Sequence, residues 1–369
     1  MGKWLLGLCG VGLLLAAMLW WDSGSSAVSV SAQALVEARN DGSGARGLRI
    51  EAPGLGIPAS LDEARAILDP ELLQRASEGL EARIEADAGE GAAHVFLSEI
   101  LRRKKSHRQA VVHGRRGAEL LPTSSEAHWI YARALLLEAA HLGRSGGMGQ
   151  LKAMKNIAPY KQEIRTAIEL DPGLGEARKE EALFLIFAPL AGDLEQGTQL
   201  AQELEAIDPL EGGLCVARAL SAQEDGLEPA LSKAREVQAA YPLSQEPPWV
   251  LANLLHGAER HDEALEAIEQ VLEGEKGETY YQALYLRARI CNDRKEGLEA
   301  VLTDLEEWKV ENSLWEWAPS EAQMECERGR ALAGLGRVEE SRIALERALE
   351  LDPDSKRTQS GLIDLDSAR

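Results

Sequence analysis

The sequence predicts an all-α chain: a right-handed solenoid of about seven stacked helix pairs behind an N-terminal transmembrane or signal segment. Three observations carry this. The composition is 45% hydrophobic but only 5% aromatic, and it is rich in Ala, Leu and Glu, which favours helices and leaves few of the branched and aromatic runs that strands use. The stretch Trp249–Gly277 forms two short amphipathic segments about the polar turn Glu259–Asp262. Leu251, Ala252 and Leu255 share one stripe, and Ala264, Leu265, Ile268, Val271 and Leu272 the other. Neither segment can bury its stripe alone, so the unit needs neighbours. The third observation is recurrence: a turn signal returns at Pro122, Pro172, Pro209, Pro242 and Pro353, with Gly274–Gly277 filling one such place, and two of the gaps are 37 and 33 residues.

Taken in order, the chain opens on an uncharged apolar run, Trp4–Trp21, behind Lys3. Residues 1–21 are therefore expected to be a signal anchor or signal peptide with a cytoplasmic start and an exported body. Val30-Ser31-Ala32 offers a small-residue cleavage site, so the body is expected either on a single-pass anchor in the inner membrane, facing the periplasm, or free in the periplasm if cut near Ala32. Residues 22–59, rich in Ser, Gly, Ala and Pro, predict a flexible linker. Residues 60–87 predict a pair of N-terminal capping helices. Ser60 and Glu63 make a capping-box pair ahead of Leu61 and Ala64, and Asp69-Pro70 opens a second helix with proline where it is tolerated.

The array follows over 88–369. Counting back from Pro122 lands on Leu97-Ser98, Leu101, Ala110, Gly114 and Gly117; counting back from Pro353 lands on Gly329, Leu332, Ser341, Leu345 and Ala348. Seven units result, near 91–122, 125–172, 175–209, 212–242, 245–278, 279–309 and 322–353, with a capping helix behind them. With its ELDP helix ends at Glu169–Pro172 and Glu350–Pro353 and the run RHDEALEAI at Arg260–Ile268, this stretch resembles the tetratricopeptide repeat (TPR) family. Cys215 and Pro248 depart from it at the usual aromatic position. The resemblance implies a non-catalytic scaffold that binds a peptide or partner protein in a concave groove. Over 125–209 the Gly-Met-Gly segment, Leu151–Lys155, the ELDP end and Ala188–Asp193 are also similar to bacterial envelope repeat proteins of undefined function.

Two places break the period. About 142–158 holds sixteen extra residues, either a loop emerging from one face or a longer second helix kinked at Pro159. About 309–320 holds Trp315 and Trp317 just after Trp308.

Chemistry is sparse. Gly143–Gly149 is not a phosphate loop: Met148 stands at the second glycine position and no Lys-Ser/Thr follows. The seven histidines form no HExxH and no zinc spacing with cysteine. Cys9, Cys215, Cys291 and Cys326 form no CxxC and no disulfide framework is expected. No G-x-S-x-G turn is present. No enzyme, metal or cofactor is expected. The net charge of −21 argues against nucleic acid. Charge is nonetheless uneven. Residues 91–165 carry 13 Lys and Arg against 5 Glu and no Asp, a net +8, which leaves −29 for the remainder. The basic residues either pair with acidic helices elsewhere or attract an anion.

Two functions follow as expectations. One is a membrane-held interaction scaffold whose first helices line the groove, with His128, Arg133, Arg178 and Arg218 at inner-helix positions and Lys152 and Lys155 in the insert as candidate partner-binding residues. The alternative is a periplasmic solute-binding or transporter-accessory protein with an anion site near the basic first two repeats.

Overall fold

The computed structural model describes residues 48–50, 57–67, 69–144, 147–188, 191–308 and 319–367. Among these there are seventeen helices, and the sole β feature is one antiparallel bridge between Arg49 and Ser60. The predicted membrane run 4–21 and Trp315 and Trp317 lie outside the described residues; within them no helix is long and apolar enough to cross a membrane. The chain forms two compact units that meet between Lys233 and Ala234.

In the first unit, α1 (Leu61–Ala66) and α2 (Pro70–Ala86) precede four first helices: α3 (Gly91–Arg103), α5 (Ser125–Arg144), α7 (Gly175–Phe187) and α9 (Pro209–Ser221). Their second helices are α4 (His107–Leu120), α6 (Gly147–Leu170), α8 (Leu194–Glu205) and α10 (Leu227–Ala240), the last running on into the second unit. The second unit continues with α11 (Glu246–Gly257), α12 (His261–Leu272), α13 (Glu278–Arg294), α14 (Leu298–Glu307), α15 (Glu321–Gly334), α16 (Val338–Leu351) and α17 (Lys356–Ser367). In chain order the helices from α3 to α16 fall into seven consecutive pairs, and α17 packs on α15 and α16.

The reason these helices pair is visible at the positions picked out by period. Leu97, Ser98, Ala110, Leu332, Ser341, Leu345 and Ala348 are all buried. Small residues let the two axes approach: a Cβ on Gly117 would meet Val95 Cγ2 at 2.6 Å, and one on Gly329 would meet Leu345 Cγ at 2.6 Å. Across the same contact the Ser98 and Ser341 hydroxyls donate to the Ala110 and Gly329 carbonyls, both at 2.8 Å, so these two buried hydroxyls are satisfied.

Three expectations are modified. Pro209 does not end the third pair; it is the first residue of α9, with Asp208 accepting from the Leu210 and Glu211 N–H groups at 3.1 Å, so the fourth pair starts three residues early. The extra residues of the second pair lengthen both helices, to 20 and 24 residues, with Pro159 inside α6. At the N-terminus of the body the two helices α1 and α2 lie within residues 60–87, and each packs on α3. Lastly, residues 48–50 and 57–59, expected in the flexible linker, are folded onto the first unit. Ile50 is buried, and its N–H donates to the Ala59 carbonyl at 3.0 Å. Burial of Ile50, Pro58, Leu61 and Ala64 gives this short stretch the apolar anchorage that its composition as a whole does not suggest.

Candidate functional site

The first helices of the first unit carry an unusual density of buried charge. At the end of α3, Glu99 is fully buried and takes two hydrogen bonds from Arg102, Nη2 at 2.5 Å and Nε at 2.9 Å, with Arg103 Nε at 3.5 Å. Burial pushes the Glu99 carboxyl up, but the adjacent Arg102 guanidinium, with Arg133 and Arg103 beyond it, reverses this and holds it well below the usual carboxylate range. A geometry of this kind is needed to offset taking two charges out of water.

Next along the row, α5 meets α7 through Trp129 and Arg133. The Trp129 indole N–H donates to Glu180 Oε2 at 3.0 Å, and Arg133 Nε is 3.4 Å from the same oxygen. The Arg133 guanidinium lies 5.1 Å from the Trp129 ring centroid, within cation–π range. A second guanidinium, from Arg65 of α1, lies 4.9 Å from that centroid, with its Nη1 3.7 Å from Glu176 Oε1 on α7. Glu126, in the first turn of α5, accepts the Leu48 N–H at 2.5 Å. Partial burial raises its carboxyl, against the effect of that hydrogen bond; Asp62 and Glu176 nearby raise it further and Arg65 opposes them. An aromatic face from Trp129 and acidic groups from Glu176 and Glu126 thus come together about the guanidinium of Arg65.

The expected contact residues are placed differently from a row of open cations. Arg133 is buried and paired as described. His128 is a bracket within the second pair, its Nδ1 2.6 Å from Glu163 Oε2 and its Nε2 3.2 Å from the Pro122 carbonyl. Arg178 does the same in the third pair, donating to the Pro172 carbonyl at 2.6 Å and standing 3.2 Å from Glu203. Arg218 is 2% exposed, and its Nη1 has no hydrogen-bond partner among the described residues. Lys152 and Lys155 alone of the six are exposed to solvent.

Much of the basic surplus is likewise consumed internally. Lys104 donates to Gln74 at 2.8 Å, Arg115 to the Tyr131 hydroxyl at 3.1 Å, Lys161 to the Ala191 carbonyl at 2.7 Å and Arg165 to Glu181 at 3.2 Å. His94 and His113 stack with their Nδ1 atoms 3.0 Å apart. Burial lowers both rings' basicity, and each is lowered further by a nearby cation or by the other ring, which makes them an acid-sensitive joint between α3 and α4. Among the described residues no three of His, Cys, Asp and Glu come together as a metal site. Arg65, Glu126, Trp129, Glu176 and Glu180 were not singled out in sequence. The Ser60 and Glu63 capping pair ahead of Leu61 and Ala64 marked α1 as part of the body, but nothing local marked its Arg65.

A model of the tetratricopeptide repeat matches residues 323–355, which span α15 and α16. In fold the chain is similar to a tetratricopeptide repeat protein of Parabacteroides merdae, at 14% identity over 74% of this chain and 97% of that one, with a TM-score of 0.51. It is also similar to yeast Tom70, at 13% identity over 81% of this chain and 59% of that one, with a TM-score of 0.58; the chain thus spans little over half of Tom70. No curated protein matches it in sequence. One repeat is thus matched in sequence, over residues 323–355, and over most of the chain's length the likeness is one of fold.

Proposed function

We propose that the protein is a non-catalytic interaction scaffold on the outer side of a bacterial cytoplasmic membrane. Residues 4–21 hold it there, and it receives a peptide or a segment of a partner protein along its first helices. The observation that carries the reading is the pocket of Trp129, Glu126 and Glu176 on that row: an aromatic face with an acidic rim is built to take a cationic side chain, and here it holds one already. Stacked helix pairs present such rows as extended binding surfaces. Binding of nucleic acid does not fit a net charge of −21. The anion-site alternative is weakened by the internal pairing of Arg102, Arg103, Arg115 and Arg165.

The test is site-specific photocrosslinking in the native membrane. A crosslinker at Glu176, on the row, is expected to capture a defined partner; one at Val112, 60% exposed on a second helix, is not. Equal capture from both, or none from Glu176, removes the reading. An alkaline phosphatase fusion after Arg369, active only outside the cytoplasm, checks the topology; an inactive fusion refutes the exported body.

A further inference from the structure

The pocket on the first-helix row is occupied by the protein itself, and the occupant has the shape of a ligand. Residues 48–50 and 57–67 contact each of the first helices α3, α5 and α7. The Ile57 side chain lies against Gly79 of α2, where a Cβ would meet it at 2.7 Å. Helix α1 packs on α3 with Leu61 and Ala64 buried, and the Ile67 carbonyl accepts from Arg103 Nη1 at 3.1 Å. Arg65 reaches the Trp129 ring and Glu176, and Leu48 reaches Glu126. The bridge between Arg49 and Ser60 ties the two pieces together.

This segment is not built like the rest of the body. Its helix has six residues and forms no pair of the repeat. Its hold on α5 and α7 includes the Leu48 N–H on Glu126 and Arg65 on Trp129 and Glu176, and the Arg65 side chain keeps 28% of its exposure. Ser60 and Glu63 cap α1 locally, accepting from the Glu63 and Ala59 N–H groups at 3.2 and 2.8 Å, so the short helix has its own end restraints and depends less on the row to form. Short peripheral elements outside the repeating pairs are the ones that open below the global unfolding free energy.

We infer that residues 57–67 are a displaceable strap that occupies the partner site, and that the partner's anchor is a cationic side chain on a short amphipathic segment, taking the place of Arg65 between Trp129, Glu126 and Glu176. This rests on the scaffold reading and adds to it the chemistry of the partner and the step that precedes binding. A segment tethered beside its own site is present at an effective concentration on the order of millimolar, so a competitor in trans binds weakly until the strap is released.

The experiment uses the full chain and a fluorescent peptide copying residues 57–67, read by anisotropy. Arg65→Glu places a carboxylate against Glu176 and Glu126 and frees the strap. The peptide is expected to bind this variant at least tenfold more tightly than wild type, and the milder Arg65→Ala to lie between them. Adding Trp129→Leu to the Arg65→Glu chain removes the gain. Equal affinity for wild type and Arg65→Glu, or no binding to either, overturns the strap. Amide exchange gives an independent reading. Residues 61–66 are expected to exchange faster than the cores of α3 and α5; exchange only through global unfolding overturns displaceability. Undiminished crosslinking from Glu176 with no peptide binding leaves the scaffold and removes the strap, whereas peptide binding without any crosslinked partner leaves the strap and removes the scaffold.

Discussion

Replacing Glu99 by Gln tests whether the buried charges at the end of α3 act as one unit. The substitution keeps size and shape and deletes one negative charge. Glu99 is fully buried and Arg102 is 4% exposed, so neither can turn to water when its partner is lost. Arg102 then stands beside Arg103 and Arg133, both part of the field that keeps Glu99 ionised. Removing one member of a buried pair costs about 3–5 kcal/mol, because the remaining charge stays desolvated. With a urea m-value of about 2 kcal/mol/M, the transition of the first unit moves down by about 1.5 M or more. Circular dichroism follows the transition, and peptide-resolved amide exchange assigns the loss to α3 and α5 rather than to the second unit, as a repeat array requires. A midpoint shift below about 0.5 M, equal to about 1 kcal/mol at that slope, refutes the reasoning. The paired change Glu99→Met with Arg102→Met is expected to recover much of the loss, since an apolar pair of similar volume carries no desolvation cost. Wild-type stability carries the same signature in acid. Glu99 titrates below its ordinary value of 4.5 when folded, so its contribution is intact above that pH and is lost as pH falls beneath it.

Three further outcomes are expected. His256 in α11 is held at about 4 by burial, then by Arg289 and His261. Because the unfolded chain takes up the proton near 6.5 and the folded one only near 4, its contribution is intact above 6.5 and falls away between those values. The loss is about 1–2 kcal/mol after discounting for a partly solvated ring; melting curves at pH 7 and pH 5 show it, and His256→Gln flattens the difference. Gly212→Ala drives a Cβ to 2.0 Å from the Glu205 nitrogen and 2.2 Å from its Cα, backbone that cannot swing aside. It costs about 2–3 kcal/mol in thermal or urea melts, whereas Gly336→Asn, at φ +74° with nothing within 4 Å of its added Cβ, changes little. Arg357→Met leaves the fully buried Glu327 carboxylate with Asn292 but without its guanidinium. The second unit loses about 3 kcal/mol, and exchange protection falls first in α17; unchanged protection there refutes the role of Arg357 as its clamp.

The difference between what was legible and what was not follows the range of the interactions. Small residues at Ser98, Gly117, Gly329 and Ser341 repeat because each helix pair solves the same local packing problem, and a solution repeated seven times shows in the letters. Caps at Ser60 and Asp69 are local too, decided within three residues. The inner face answers to no such rule. Leu48 meets Glu126 across 78 residues, Trp129 meets Glu180 across 51 and Arg103 meets Ile67 across 36, and no periodicity constrains those choices. Pairing of the basic surplus of 91–165 was one of the two expectations, but its partners could not be named: Glu181, Gln74 and the Ala191 carbonyl, which take up Arg165, Lys104 and Lys161, lie outside that stretch. The residues before Ser60 were hidden most thoroughly, since their composition matches a linker, and although the Ser60 cap marks α1, nothing local gives its Arg65 a purpose. That inverts the usual value of the two kinds of residue. Positions that satisfy the repeat identify the fold and are interchangeable between copies. Among Trp129, Glu126, Glu176 and Arg65 only Arg65 satisfies nothing in the repeat, since Glu126 and Glu176, like Glu246, stand four residues after a turn proline and Trp129, like Trp249, stands seven after one; the placement of Arg65 is accounted for by the ring and the carboxylate that it meets.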